Sequence, residues 1–308
     1  MYQNSGVIAL PRPLTARLDK TAKSFLEPPG MAFDFSVPAG EAALVSANSV
    51  SWMIFKNPVS LFVGGVSAVL LEMAEPKVRD GVWDHSSFRT EALKRLQRTG
   101  VAAMMTVYGP KSQAEAMIAG VVTRHGRVTG QTSEGEDYQA NDPVLLDWVQ
   151  ATASYGFMEA YHAFVRPLDA RQRDALFAEA QPAARLYGAV GAPGSQAELD
   201  ALFESMKPRL VASKIVFEFL EIMAKVPALP GIAKPLQKPL IKAAIDILPD
   251  WVRERLGLGP KWSLSSLERL LVKTAARTND QLVLPSSPAV QACRRLGLAD
   301  DFLYRRKR

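Results

Sequence analysis

The chain has 308 residues, 48% of them hydrophobic, enough to bury one large core or two ordinary ones. Its formal charge is +6, spread along the sequence except for the closing YRRKR at 304–308, and no zinc-finger spacing, aromatic–glycine RNA motif or helix-turn-helix pattern accompanies it. That balance argues against a nucleic-acid partner and leaves peripheral contact with an acidic membrane through the basic surface as the partner reading; the single cysteine, Cys293, excludes an intramolecular disulfide and a cysteine-rich metal site and suits a reducing compartment.

Residues 1–40 are rich in proline and glycine and read as an N-terminal arm lying over the domain. The opening MYQNSGVIALPRPL lacks the basic start and sustained apolar core of a leader, so a cytoplasmic protein is expected. From residue 41 the apolar spacing becomes helical. It predicts helices over 41–56, 59–75, 88–99, 111–129, 143–165, 169–187, 195–205, 208–224, 238–256, 263–278 and 287–296. The most apolar run, VSLFVGGVSAVLL at 59–71, is shorter than the ~20 residues a membrane span needs. Glu72, Glu75 and Lys77 close it, and it reads as a buried core helix. Asp142-Pro143, Asp169 and Ser263 mark helix starts, and Gly100, Gly130 and Gly188 mark stops. The proline-punctuated segment 224–240 stays apolar and reads as a connector crossing the body of the domain. Strand-like alternation is scarce. The expected fold is all-α, a single globular multi-helix domain over 41–298, between the arm and a basic C-terminal tail at 299–308.

Three histidines are available for chemistry. His125 ends an apolar stripe, with Ile118, Val121 and Val122 on the same helix face. An imidazole aimed into an apolar interior is a satisfied core residue or a metal ligand. No second histidine or carboxylate stands three or four residues away, as zinc or di-iron helices require. A haem iron needs only one such ligand, because the porphyrin supplies four nitrogens. In KRLQRTG at 94–100, Arg95 and Thr99 share a face with Phe88 and Ala92, and Arg98 stands at an adjacent angle. An arginine on a half-apolar face needs an anion, which haem propionates would supply; the competing reading is a surface helix with a snorkelling arginine. His85 in WDHSSF sits in a capping turn, with a distal-pocket role second. His162 lies among aromatics on a packing helix, and Cys293 reads as a buried structural thiol. There is no glycine-rich phosphate loop and no GxSxG elbow. GAPGS at 191–195 is a turn, and the acids of GEDYQAND lie on a loop.

Taken in order, GVWDHSSF, RLQRT, VVTRHGRVTG, GEDYQANDP, LLDWVQAT, FVRPL and ILPDWVRERLGLGPKWS resemble one family over residues 50 to 280. It is the family of helical haem oxygenases that includes the rubber oxygenase, or latex-clearing protein, and the mpaB-type oxygenase. The most specific part is Tyr138-Gln139-Ala140-Asn141-Asp142-Pro143 a short step after the histidine, with Trp148 beyond. The resemblance implies a haem pocket between helices, haem b as cofactor, His125 as proximal iron ligand and Arg95 and Thr99 as pocket residues. Arg98 stands where the rubber oxygenase has a lysine over the distal side, so Arg98 and Thr99 are the catalytic candidates. Glu75-Pro76 replaces a frequent histidine-proline, and Trp148-Val149-Gln150 a tryptophan-valine-histidine, which leaves distal chemistry and substrate open. The expected function is oxidation of an apolar small molecule (alkene, terpenoid or lipid-like) by dioxygen. A non-catalytic haem sensor or carrier, and a cofactor-free lipid-binding protein, are the alternatives.

Overall fold

The structure, a computed structural model, describes residues 7–8, 11–26, 33–229 and 231–305. Parts of the expected arm, and the last three residues of the basic tail, lie outside the described residues. In chain order the first helices are α1 (Arg12–Leu26), α2 (Val50–Phe55), α3 (Pro58–Glu72), α4 (Pro76–His85), α5 (Phe88–Tyr108), α6 (Lys111–His125), α7 (Pro143–Phe164) and α8 (Ala170–Tyr187). After them come α9 (Gln196–Met206), α10 (Lys214–Lys225), α11 (Gln237–Asp246), α12 (Asp250–Arg255), α13 (Ser266–Asn279) and α14 (Pro288–Arg295). The described residues form one globular all-α domain, and their only strands, β1 (Thr129–Gln131) and β2 (Asp137–Gln139), make a small antiparallel hairpin between α6 and α7.

The apolar run of the sequence is α3, and the domain is built around it. Asn57 caps it, its side-chain oxygen accepting the Val59 and Ser60 amides at 3.2 and 3.1 Å, with Pro58 in the first turn. Alongside runs α7, opened as expected by Asp142-Pro143. The two backbones touch at one point. A Cβ on Gly64 would lie 2.6 Å from the Gly156 carbonyl oxygen, and one on Gly156 would meet the Gly64 carbonyl closer still. Only glycine on both helices permits this approach. α11 and α13 pack on α3 from other sides, and α8 packs on α7, α2 and α6.

Several expected elements shift for identifiable reasons. The helix expected over 41–56 begins only at Val50, where Ser49 and the Glu179 carboxylate of α8 together cap its amides. α5 runs through Gly100 to Tyr108, because Val101, Met104, Met105, Val107 and Tyr108 are buried and packing outweighs the glycine's low helix propensity. Gly130 lies in β1, not at a helix end, whereas Gly188 stops α8 with a left-handed φ of 93°. α4 was not expected; Glu75 caps it through the Val78 amide at 2.9 Å, a role more usual for shorter side chains. The expected 238–256 helix breaks into α11 and α12 before Pro249. In the connector, Gln237 donates to the Met223 and Val226 carbonyls, both at 2.6 Å, and fastens the segment to the end of α10. Residues 302–304 form a short 3-10 turn that buries Tyr304.

Replacing either crossing glycine is the direct test of this architecture. Gly64→Ala and Gly156→Ala are each expected to cost about 1–3 kcal/mol in urea unfolding, by overpacking. Gly65→Ala is the control. Its Cβ would meet only the Phe157 ring, at 3.9 Å, so it is expected to be neutral or to gain up to about 1 kcal/mol from helix propensity.

Candidate functional site

One stripe of α3, formed by Phe62, Gly65, Val69 and Glu72 at helical spacing, is only half-buried. Val149, Ala153 and Phe157 of α7 and Ala92, Arg95 and Leu96 of α5 show the same intermediate exposure. Glu72 is half-buried with the rest of this stripe, so it lines a recess that water still reaches and is not packed core. Burial pushes its carboxyl up to about 7, against the opposing pull of the Arg95 charge and a hydrogen bond with the Thr152 hydroxyl. The single Thr152 proton has two acceptors, the Glu72 carboxylate and the Val149 carbonyl 2.9 Å away on α7.

Arg95 is the cation facing this carboxyl. Burial lowers the pKa of its guanidinium, the Glu72 charge raises it, and the neighbouring Arg98 lowers it again. The guanidinium donates to Thr99 Oγ1, whose own proton goes to the Arg95 carbonyl at 2.9 Å. Thr99 therefore holds Arg95 within one helical turn, but its side chain is exposed, as is that of Arg98. Of the predicted residues on α5, Arg95 is half-buried within the field of Glu72, while Arg98 and Thr99 are exposed.

His125 closes α6 and is half-buried. Burial depresses its pKa, and the charges of Arg95 and Arg124 depress it further, so the ring is neutral near pH 7 with a lone pair free to bind. Among the described residues the ring has no hydrogen-bond partner. Its backbone is firmly held. The Asn141 amide donates to the Val122 carbonyl at 3.2 Å, alongside the Gly126 amide at 3.0 Å. Val128 N donates to the His125 carbonyl and Ala140 N to the Val128 carbonyl, both at 3.0 Å. The GEDYQAND segment, read as a loop, is thus the second strand and exit of a hairpin that caps the histidine's helix.

The other histidines are engaged elsewhere. His85 Nε2 pairs with the Tyr138 hydroxyl at 3.1 Å, and His162 Nδ1 accepts the Leu168 amide at 2.9 Å. Glu75 is buried in an ion pair with Arg209 at 2.7 Å. Burial pushes the Cys293 thiol up to about 12, which leaves it unreactive. Among the described residues no group of three or more histidine, cysteine, aspartate or glutamate side chains could hold a metal ion by itself. Sequence reasoning missed Glu72, Thr152 and Asn141. For Glu72 a signal existed, since it continues the Phe62, Gly65, Val69 stripe by three residues. Asn141 stood in the Tyr138–Pro143 motif without an assigned role, and for Thr152 only the tertiary contacts identify it.

The Glu72 carboxyl carries a pH signature. Its folded pKa lies above the ordinary value of 4.5, so its contribution to stability is complete below pH 4.5 and is lost as pH rises through about 7. His125 slopes the other way, losing its contribution as pH falls through its depressed value. Urea unfolding at several pH values should show that Glu72→Gln removes the decline between pH 4.5 and 7. Parallel curves for the two proteins would mean that Glu72 titrates normally.

No curated protein and no solved structure matches the chain. Residues 52–278, which span α3, Arg95, His125 and α7, match the family of the ER-bound oxygenase mpaB/B′ and rubber oxygenase catalytic domain, and the chain belongs to that family.

Proposed function

We propose that the protein is a haem b-dependent oxygenase that oxidises an apolar small molecule with dioxygen. Family membership supports the oxygenase class. The observation that carries the haem reading is His125, a neutral, unpartnered imidazole within the field of an enclosed guanidinium, with no protein-only metal cluster among the described residues. The surroundings fit the group. A single imidazole suffices for an iron held by a macrocycle, Arg95 matches a propionate, and a Cβ added at Gly65 would have only the Phe157 ring within 4 Å, at 3.9 Å, leaving room beside α3.

Haem, when bound, supplies the redox chemistry that activates dioxygen. The chain supplies the rest. A ring nitrogen of His125 would ligate the iron and Arg95 would pair with a propionate, while Thr99 keeps the guanidinium in place. Arg98, which is exposed, adds to the positive field around Arg95. Val69, Val149, Ala153 and Phe157 offer apolar wall to the substrate and exclude water. Glu72, with a pKa near the working pH, holds a proton on its carboxyl oxygen or releases it with little driving force in either direction.

Visible spectroscopy of protein expressed with ample haem tests the reading. The wild type should show a Soret band, and His125→Ala should lose it. His85→Ala and His162→Ala should keep it. Arg95→Ala should release haem more than about tenfold faster, because a desolvated propionate loses its partner. Thr99→Val should retain haem better than Arg95→Ala does. A colourless wild type after reconstitution, or a fully loaded His125→Ala, would overturn the assignment.

A further inference from the structure

The outward side of α13 is apolar, and among the described residues nothing lies over it. Leu267, Leu270 and Leu271 are 66%, 61% and 44% exposed and stand at i, i+3 and i+4, so they form one ridge. The opposite side of the same helix buries Val272 and Ala276 against the domain. A surface helix that is apolar on both sides is unusual, and a clustered exposed apolar patch marks an interaction site.

The charges around the ridge are cationic. Lys273 and the exposed Arg277 border it on one edge, and Lys261 precedes its N-terminus. On the other edge Lys242 bonds Glu268 at 2.8 Å. The nearby carboxylates are all occupied. Glu268 also accepts the Ser265 amide at 2.9 Å and hydroxyl at 2.8 Å. Asp246 holds Arg269 through both oxygens, at 2.7 and 2.8 Å, and Asp280 is paired with Lys56 at 2.7 Å.

We propose that α13 docks on an anionic lipid surface, its three leucines entering the headgroup–acyl boundary and its bordering cations meeting the lipid phosphates and carboxylates. Leucines on one side with lysine and arginine beside them are the composition of an interfacial helix. A second copy of this chain is a poor occupant. A twofold pairing would set Lys273 and Arg277 against their own copies, with no spare carboxylate to relieve them. A convex ridge also suits a fluid phase, which needs no matching groove. The inference stands apart from the haem reading, since α13 contributes no residue to the His125 site.

Co-sedimentation of the full chain with vesicles tests it, comparing phosphatidylcholine alone with phosphatidylcholine containing phosphatidylserine. The wild type should bind the anionic vesicles and dissociate at high salt. Leu267→Ser/Leu270→Ser should weaken binding by more than about tenfold. Lys273→Ala and Arg277→Ala should each weaken it by about fivefold. All positions are at the surface, and circular dichroism with thermal unfolding confirms that each variant is folded. Absence of wild-type binding, equal binding to neutral vesicles, or unchanged binding by the leucine variant overturns the proposal. So does sedimentation showing that the leucines instead drive self-association without lipid.

Discussion

Backbone contact between Gly64 and Gly156 sets the register of the half-buried residues along α3 and α7. Two helices that meet without side chains between them cannot slide past each other without driving a Cα or carbonyl into the partner. From this point Glu72 lies eight residues on along α3 and Thr152 four residues back along α7. Their hydrogen bond therefore depends on where the helices cross. Val69 and Ala153 follow the same register. At the crossing itself the contact of α3 with α7 is made by backbone.

Two groups that are costly to bury support one another. An enclosed carboxylate and an enclosed guanidinium each lose hydration, and their mutual attraction offsets part of the loss. Glu72 does not gain enough from Arg95 to stay at an ordinary pKa; it rises to about 7. Arg95 cannot shed its proton at any ordinary pH, so the pair adjusts through the carboxyl. A second anion beside Arg95 would compete with Glu72 for the same cation and favour the protonated acid. Anion binding at Arg95 and proton uptake at Glu72 are then one linked event.

Legibility from sequence followed the range of the interactions involved. Helices defined by local signals, such as α7 after Asp142-Pro143 and α8 between Asp169 and Gly188, were placed to within a residue or two. Errors arose where a distant group decided the outcome: the Glu179 carboxylate that starts α2, and the buried run that carries α5 past Gly100. The hairpin escaped because each strand is three residues long, too short for alternation to register. At the site, the stripe of Ile118, Val121 and Val122 pointed to His125, but only Ile118 of the three is fully buried, so the histidine stands at a rim more than in a core. The i, i+4 spacing of Arg95 and Thr99 was real contact, though the threonine serves the arginine and not the interior.

Formal charge was a poorer guide than pattern, because part of the cationic count is interior. Arg295 is 2% exposed and has no carboxylate partner in contact. It donates to the carbonyls of Phe35, Glu41 and Tyr108 at 2.6 to 2.8 Å, joining the segment before α2, the end of α5 and α14 at one guanidinium. A planar fork with five donors suits such a junction; an ammonium would not reach three divergent carbonyls. Lys56 is similarly enclosed, paired with Asp280 and lying 4.7 Å from the centre of the Tyr304 ring, which draws the residues after α14 onto the core. These buried cations hold the segment before α2 and the residues after α14 to the helical body. Buried Glu75 and Asp80 largely offset these cations, so the position of each surface cation, as along α13, matters more than the total.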